Sequence, residues 1–309
     1  MVCKGTIFIV KSALWPHLTL KTPKNMILFK RAGDLTRWLQ TQREAGHRTG
    51  FVPTMGALHE GHISLITISK RTTALTVCSI FVNPTQFNDP ADFRKYPITI
   101  EKDIALLEKA GTDVLFLPDV SELYPAGTKD LEHYDLGPLE TVLEGKFRPG
   151  HFQGVCQVMQ RLLHIVRPDD LFMGSKDYQQ CMVIQRLLQL VDLPTALHRC
   201  PIMREPDGLA MSSRNVRLNP EERFFAAGIH MALLTIRDAW AARNGIGDIL
   251  DKATAILEEN HFRIDYVSIA NGTTLEPLTA WQEDAVALIA AFMGEVRLID
   301  NMNLSNFAS

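Results

Sequence analysis

Two histidines three residues apart, His59 and His62, close the run Pro53-Thr54-Met55-Gly56-Ala57-Leu58-His59-Glu60-Gly61-His62. Gly50-Phe51-Val52, just before it, has the character of a short buried strand. Ile63 to Lys70, just after it, sets Ile63, Leu65, Ile66 and Ile68 as the apolar positions of a helix. The histidines are therefore expected on a strand-to-helix turn. A helix N-terminus presents free N–H groups and partial positive charge, which suit a phosphate. Gly56 and Gly61 leave room for backbone to approach a ligand. Two imidazoles on such a turn can face one phosphate, which points to chemistry at the α-phosphate of a nucleotide. A bare H-x-x-H pair is also a common surface or capping arrangement. A zinc-protease site is disfavoured, because the i, i+4 histidine spacing and an evident third ligand are both missing.

Four further segments carry groups suited to the same chemistry. Met211-Ser212-Ser213-Arg214-Asn215 follows Arg204-Glu205-Pro206-Asp207-Gly208 and offers two hydroxyls and a permanently charged guanidinium to a triphosphate. In Gly174-Ser175-Lys176-Asp177 the lysine can neutralise phosphate charge, while the aspartate can orient it or hold a ribose hydroxyl. Asn83 and Gln86, in Phe81-Val82-Asn83-Pro84-Thr85-Gln86-Phe87, offer neutral amides to hydroxyl and carboxylate groups. Gly145 to Val155 is glycine-rich and basic, suited to a pocket wall or a gate. Taken singly, each also reads as an ordinary turn or connection.

Alternating β-branched runs and amphipathic stretches must position these groups. Strands are expected at 75–82, 113–118 and 171–173, with helices at 100–110, 155–166 and 181–191. Such alternation implies an α/β fold, a Rossmann-like parallel sheet with helices on both faces. Ligands in these sheets bind at the carboxyl ends of strands. The motifs fall there, after Val52, Val82 and Met173. Beyond about Ile202 the pattern becomes a smaller C-terminal α+β domain, with helices at 220–240 and 247–259 and strands at 262–269, 285–291 and 296–299. The expected division is a basic, acid-free N-terminal extension over 1–25, expected to be disordered, a nucleotide-binding catalytic domain over 26–201 and an α+β lid domain over 202–309.

With 309 residues and 46% hydrophobic content, the chain can bury a substantial core. A net charge of −3 argues against a dedicated nucleic-acid binder. The five cysteines are scattered without a C-x-x-C pair, which fits a reducing compartment and a cytoplasmic location. No apolar run is long enough for a membrane span.

Taken in order, P-T-M-G-A-L-H-E-G-H, F-V-N-P-T-Q-F, G-K-F-R-P-G-H-F-Q-G-V, G-S-K-D-Y-Q-Q and M-S-S-R-N closely resemble the pantothenate synthetase (pantoate–β-alanine ligase) family. The resemblance runs from about Met26 through the closing Arg297-Leu298-Ile299-Asp300-Asn301. The first and last motifs are shared with the wider HxGH nucleotidyltransferase superfamily. The resemblance implies ATP-dependent condensation of pantoate with β-alanine through a pantoyl adenylate, releasing AMP and pyrophosphate, with Mg²⁺ and in a homodimer. It implies His62 as the proton donor. It assigns Met55, Gly56, Ala57, Leu58, His59, Glu60, Gly61, His62, Gly174, Ser175, Lys176, Asp177, Met203, Met211, Ser212, Ser213 and Arg214 to ATP. Gln86 is assigned to pantoate and β-alanine and Gln180 to pantoate, with Asn83 beside them. Asp103 is the expected magnesium contact. Ser175 departs from the Glu or Gln usual in the family. The competing readings are a nucleotidyltransferase acting on another small acid or phosphorylated acceptor, and a non-catalytic nucleotide-binding protein. A tRNA synthetase is disfavoured by the acidic balance and the lack of an evident tRNA-binding domain.

Overall fold

Strand Leu75–Ile80 is buried at every position, the mark of a strand covered on both faces. It is β4 of a parallel sheet built from β1 (Phe8–Ile9), β2 (Ile27–Phe29), β3 (Thr49–Thr54), β4, β5 (Val114–Phe116), β6 (Asp170–Gly174) and β7 (Ala196–Cys200). The computed structural model describes residues 8–9 and 26–305. Of the N-terminal extension expected to be disordered, only Phe8–Ile9 is described, pairing parallel with Ile27 and Leu28; the rest lies outside the described residues.

The strand order is β1-β2-β5-β4-β3-β6-β7. The order reverses between β3 and β6, so the carboxyl ends of those strands flank the position where such sheets bind ligands. Val52, Cys78, Leu115 and Phe172 pack with Leu65 and Ile66 of the helix Glu60–Thr72 and Leu107 of the helix Ile100–Lys109. Their strand neighbours Phe51, Val77, Val114 and Leu171 point to the opposite face and are also fully buried, so both faces are covered.

This sheet and its helices form one compact unit: the described residues up to Asp135, with Gly150–Gly174 and Val183–Cys200. A second unit comprises Leu136–Pro149, Ser175–Met182 and the described residues from Pro201 onward. Its centre is an antiparallel sheet of β8 (Arg263–Asn271), β9 (Ala285–Met293) and β10 (Val296–Asn303), in the order β10-β9-β8. Ile269, Ala287, Ile289 and Ala291 pack with Leu233, Ile236 and Trp240 of Gly228–Ala241 and Ile249 and Leu257 of Ile246–Glu259. Ala270, Val286 and Leu288 pack instead with Met182, Leu139, Val142, Leu143 and Tyr178. That packing draws 136–149 and 175–182 into the second unit, although they precede the 201/202 division suggested by composition.

The helix expected over 220–240 is two helices, Pro220–Phe225 and Gly228–Ala241. Asn219 caps the first in a reciprocal box with Glu222. A side chain at Gly228 would collide with Asn260, so the second helix begins where close packing requires glycine. Among the described residues no helix is long and apolar enough to cross a membrane.

Candidate active site

In the first unit, β3 ends at Thr54 and the chain turns sharply into the helix Glu60–Thr72. Gly56 at φ 84° and Ala57 at φ 48° both adopt the left-handed region. Glycine does so freely, whereas alanine there is strained unless its surroundings fix it. Asp103 does the fixing. Its Oδ2 accepts from Ala57 N at 2.9 Å and its Oδ1 from Leu58 N at 2.8 Å. Thr99 Oγ1 donates to Oδ1 at 2.9 Å, and Asp103 is fully buried. The magnesium contact expected at Asp103 therefore does not fit, because this carboxylate is committed to three donors away from solvent. In sequence, an acid in the first turn of a helix looks the same whether it meets a cation or backbone N–H groups. Among the described residues no group of three or more His, Cys, Asp or Glu is arranged to hold a metal ion.

The helix start is capped by the two histidines themselves. His59 is the N-cap, and its Nδ1 accepts from Gly61 N at 3.1 Å. His62 reaches back, its Nδ1 accepting from His59 N at 3.3 Å. The capping reading of H-x-x-H thus holds, and it adds a chemical consequence. A ring that accepts at Nδ1 carries its proton on Nε2 when neutral, so each imidazole becomes an Nε2–H donor of fixed orientation. The rings lie 4.1 Å apart between centroids. Glu60 is exposed in the first turn, and Gly61 is half-buried.

The second motif joins this turn directly. Gln86 Nε2 donates to Met55 Sδ at 3.0 Å, and Gln86 Oε1 accepts from Asn83 Nδ2 at 3.2 Å. Asn83 is 1% exposed, and its amide also donates to Gly154 O at 3.0 Å while its oxygen accepts from Tyr124 OH at 2.8 Å. Asn83 is therefore committed to the fold: it holds Gln86 and is not presented to a ligand as expected. His151 Nδ1 donates to the Gln86 carbonyl at 2.8 Å. A side chain at Gly154 would run into the Thr85 carbonyl, which explains the glycine inside that helix. Met55 to His62 and Gln86 are thus brought together, supported by Asn83 and Asp103.

Apart from Gly174, the second unit holds the other expected groups. Gly174 closes β6 in the first unit, and Ser175–Asp177 forms a single tight turn in the second. Asn301 Nδ2 donates to the carbonyls of Ser175 and Lys176, each at 2.9 Å. The contact uses the backbone of Ser175, so its departure from Glu or Gln leaves the turn intact. Lys176 Nζ lies 3.6 Å from Asp177 Oδ1. Met203 and Met211 are paired across a hairpin, Met211 N donating to Met203 O at 2.9 Å. Ser212 caps the following turn by accepting from Arg214 N at 3.3 Å. Of the neighbouring glutamines, Gln179 is buried and its amide bonds Glu144 N, Leu139 O and Val142 O. Gln180 takes no part in those bonds and is half-buried.

Two charged groups absent from the expected set lie beside these. Arg148, from the glycine-rich basic segment, is pushed below the usual arginine range by burial, with Arg214 and Arg297 acting the same way and Glu144 and Asp177 opposing. Burial alone would raise Glu144, yet Arg297, at 2.8 Å from both of its oxygens, and Arg148 hold it below the usual carboxylate range. The i, i+4 spacing of Glu144 and Arg148 was the available signal in the sequence, and the structure places them 3.7 Å apart.

Known proteins resemble this chain over nearly its whole described length. A family model described as pantoate-beta-alanine ligase matches residues 27–303. The pantothenate synthetase of Porphyromonas gingivalis is 43% identical over 282 residues, covering 90% of this chain and 99% of its own. The pantoate–β-alanine ligase of Schizosaccharomyces pombe is 43% identical over 263 residues, covering 84% and 92%. The crystal structure of pantothenate synthetase from Thermus thermophilus superposes with a TM-score of 0.84 at 40% identity, covering 90% of this chain and 99% of that one. That of the Francisella tularensis ligase, complexed with beta-gamma ATP and beta-alanine, gives a TM-score of 0.76 at 33% identity, with coverage of 91% and 98%.

Proposed function

The chain belongs to the pantoate–β-alanine ligase family, and from that premise we propose that it condenses pantoate with β-alanine through a pantoyl adenylate. One observation carries the reading: the hydrogen bond from Gln86 to Met55, which sets a neutral amide on the same turn as the two capping imidazoles, whose Nε2–H groups are the donors for a phosphate. A hydroxy acid and a phosphate can then be presented to each other.

In the first half-reaction a pantoate carboxylate oxygen bonds to the α-phosphorus of ATP, and the bond to the β-phosphate bridging oxygen breaks. Pyrophosphate leaves. His62 donates through Nε2 as negative charge moves onto the departing group, and His59 donates to neighbouring phosphate oxygens. Asp103 keeps Ala57 and Leu58 in the conformation that aims both rings. Gln86 and Gln180 orient pantoate as neutral donors and acceptors, without trapping it as a strong ion pair would. In the second half-reaction the free amine of β-alanine attacks the acyl carbon, AMP leaves, and the amine's proton passes to solvent. Lys176, Ser212, Ser213 and Arg214 are assigned to the ATP phosphates. ATP and β-alanine as ligands also have support from the Francisella tularensis complex.

Family resemblance extends the proposal to Mg²⁺ accompanying ATP, to a homodimer and to the cytoplasm. No step is assigned to the metal, since Asp103 does not suit it. The test is AMP release with pantoate and β-alanine each omitted in turn. AMP should require both. Nucleotide transfer to a different acceptor, releasing pyrophosphate without β-alanine-dependent AMP, would favour the plain nucleotidyltransferase.

A further inference from the structure

β10 ends the second unit's sheet and carries Asp300 and Asn301, to which the reaction above gives no task. Successive strand residues point to opposite faces. Asp300 shares the face of Val296 and Leu298, which pack with the helices, and Asn301 shares the other with Arg297. The two residues therefore hold two different loops from one point in the chain.

Asn301 is 5% exposed, and its one amide nitrogen meets the carbonyls of both Ser175 and Lys176. Those carbonyls belong to the two peptide planes that flank the Lys176 Cα. Fixing both planes fixes the direction in which the lysine leaves the backbone. Asp300, 2% exposed, receives Arg204 through both oxygens, at 2.6 and 3.1 Å. Arg204 Nη1 also donates to Gly208 O at 3.0 Å, which closes the hairpin that pairs Met203 with Met211 and leads into Ser212–Arg214. Asp300 Oδ1 accepts from Asn301 N at 2.8 Å, so the two anchors are tied to each other.

We propose that Asp300 and Asn301 are positioning residues for ATP: Asn301 aims Lys176, and Asp300, through Arg204, shapes the loop that presents Met211 to Arg214. The proposal rests on the assignment of Lys176 and Met211–Arg214 to ATP. A side chain that only stabilised the sheet would affect all substrates alike.

The experiment is a double-mutant cycle in the AMP-release assay, with Asn301→Ala, Lys176→Ala and the double variant, each checked for native melting. Asn301→Ala should raise KM for ATP about ten-fold or more while leaving KM for pantoate nearly unchanged. Asn301→Ser, which keeps one donor, should fall between Ala and the native residue. In the Lys176→Ala background, Asn301→Ala should add less than about three-fold, because the group it aims is gone. Full additivity, or equal loss for ATP and pantoate, would overturn the proposal. So would failure of both Asn301 variants to fold, since the side chain would then hold the domain and not the loop. If Lys176→Ala itself leaves ATP use unchanged, the assignment of Lys176 to ATP fails first, and this proposal goes with it.

Discussion

The Met55–His62 turn of the first unit and the ATP-assigned loops of the second solve the same problem in different ways. The turn is largely self-supporting. Its histidines cap the helix that carries them, and one buried carboxylate from the helix Ile100–Lys109 fixes strained Ala57 and the Leu58 that follows it. The loops 175–177 and 203–214, the second of which also pairs Met203 with Met211 and caps Arg214 with Ser212, are tied in addition to a strand far along the chain. They are held by Asp300 and Asn301, and the neighbouring segment 136–149 by Arg297, three residues of the closing strand. A helix N-terminus supplies its own rigidity and its own positive end. An irregular loop has no such end and takes part of its rigidity from elsewhere. The chemistry-bearing end of the turn is thus written in ten adjacent residues, while the loops depend on residues far along the chain.

If this contrast is right, damage to the turn should cost rate and damage to the loops should cost ATP affinity. The largest effect is expected at His62. His62→Ala should slow adenylate formation by on the order of 10²–10⁴. Reaction of supplied pantoyl adenylate with β-alanine should change far less. Single-turnover kinetics on each half-reaction reads this, and normal adenylation with failed amide formation would assign His62 to the wrong step.

Next comes the brace. Asp103→Asn keeps the shape but replaces one acceptor oxygen with a donor that faces an N–H. Loss of a charge-assisted bond of this kind costs about 1.5–3 kcal/mol, so turnover should fall about ten- to a hundred-fold. The Mg²⁺ concentration for half-maximal rate should not move. A large rise in that concentration would restore Asp103 as a metal ligand and break the account of the turn.

A similar size but a different signature is expected at Gln86. Gln86→Ala should raise KM for pantoate about ten- to a hundred-fold, the value of one hydrogen bond to a charged group. KM for ATP should stay close to native. The reverse pattern would place Gln86 with the nucleotide.

The smallest effect concerns acid. Glu144 is held below its unfolded value, so its contribution to stability is present above about pH 4.3 and is lost as pH falls through the lower folded value. Segment 136–149 should therefore gain amide-exchange or protease sensitivity as the pH falls through that lower value. Arg297→Met should move that loosening to higher pH. An unchanged profile would show that the ion-pair cluster does not hold the segment.

Much of this was legible in sequence, for physical reasons that differ by region. Strand–helix alternation read the parallel sheet, because β-branched runs and helical spacing are local signals. The histidine turn read as a helix N-terminus because its glycines and the following apolar spacing are adjacent. Asp103 and Asn83 were legible as polar residues near the site but not as buried ones, and burial decided their tasks. Asn301 gave no local sign, since its partners lie 126 and 125 residues away. The recruitment of 136–149 and 175–182 into the second unit was hidden for the same reason. It depends on Leu139, Val142 and Tyr178 meeting β9, which only the fold brings about.

In the proposed mechanism the histidine turn activates pantoate before β-alanine takes part. Pantoate-dependent exchange of labelled pyrophosphate into ATP, measured with β-alanine omitted, reads that step alone. Exchange should appear with pantoate alone, vanish without pantoate and fall with His62→Ala in step with adenylate formation. Exchange that needs β-alanine, or that proceeds at full rate without pantoate, would contradict the account.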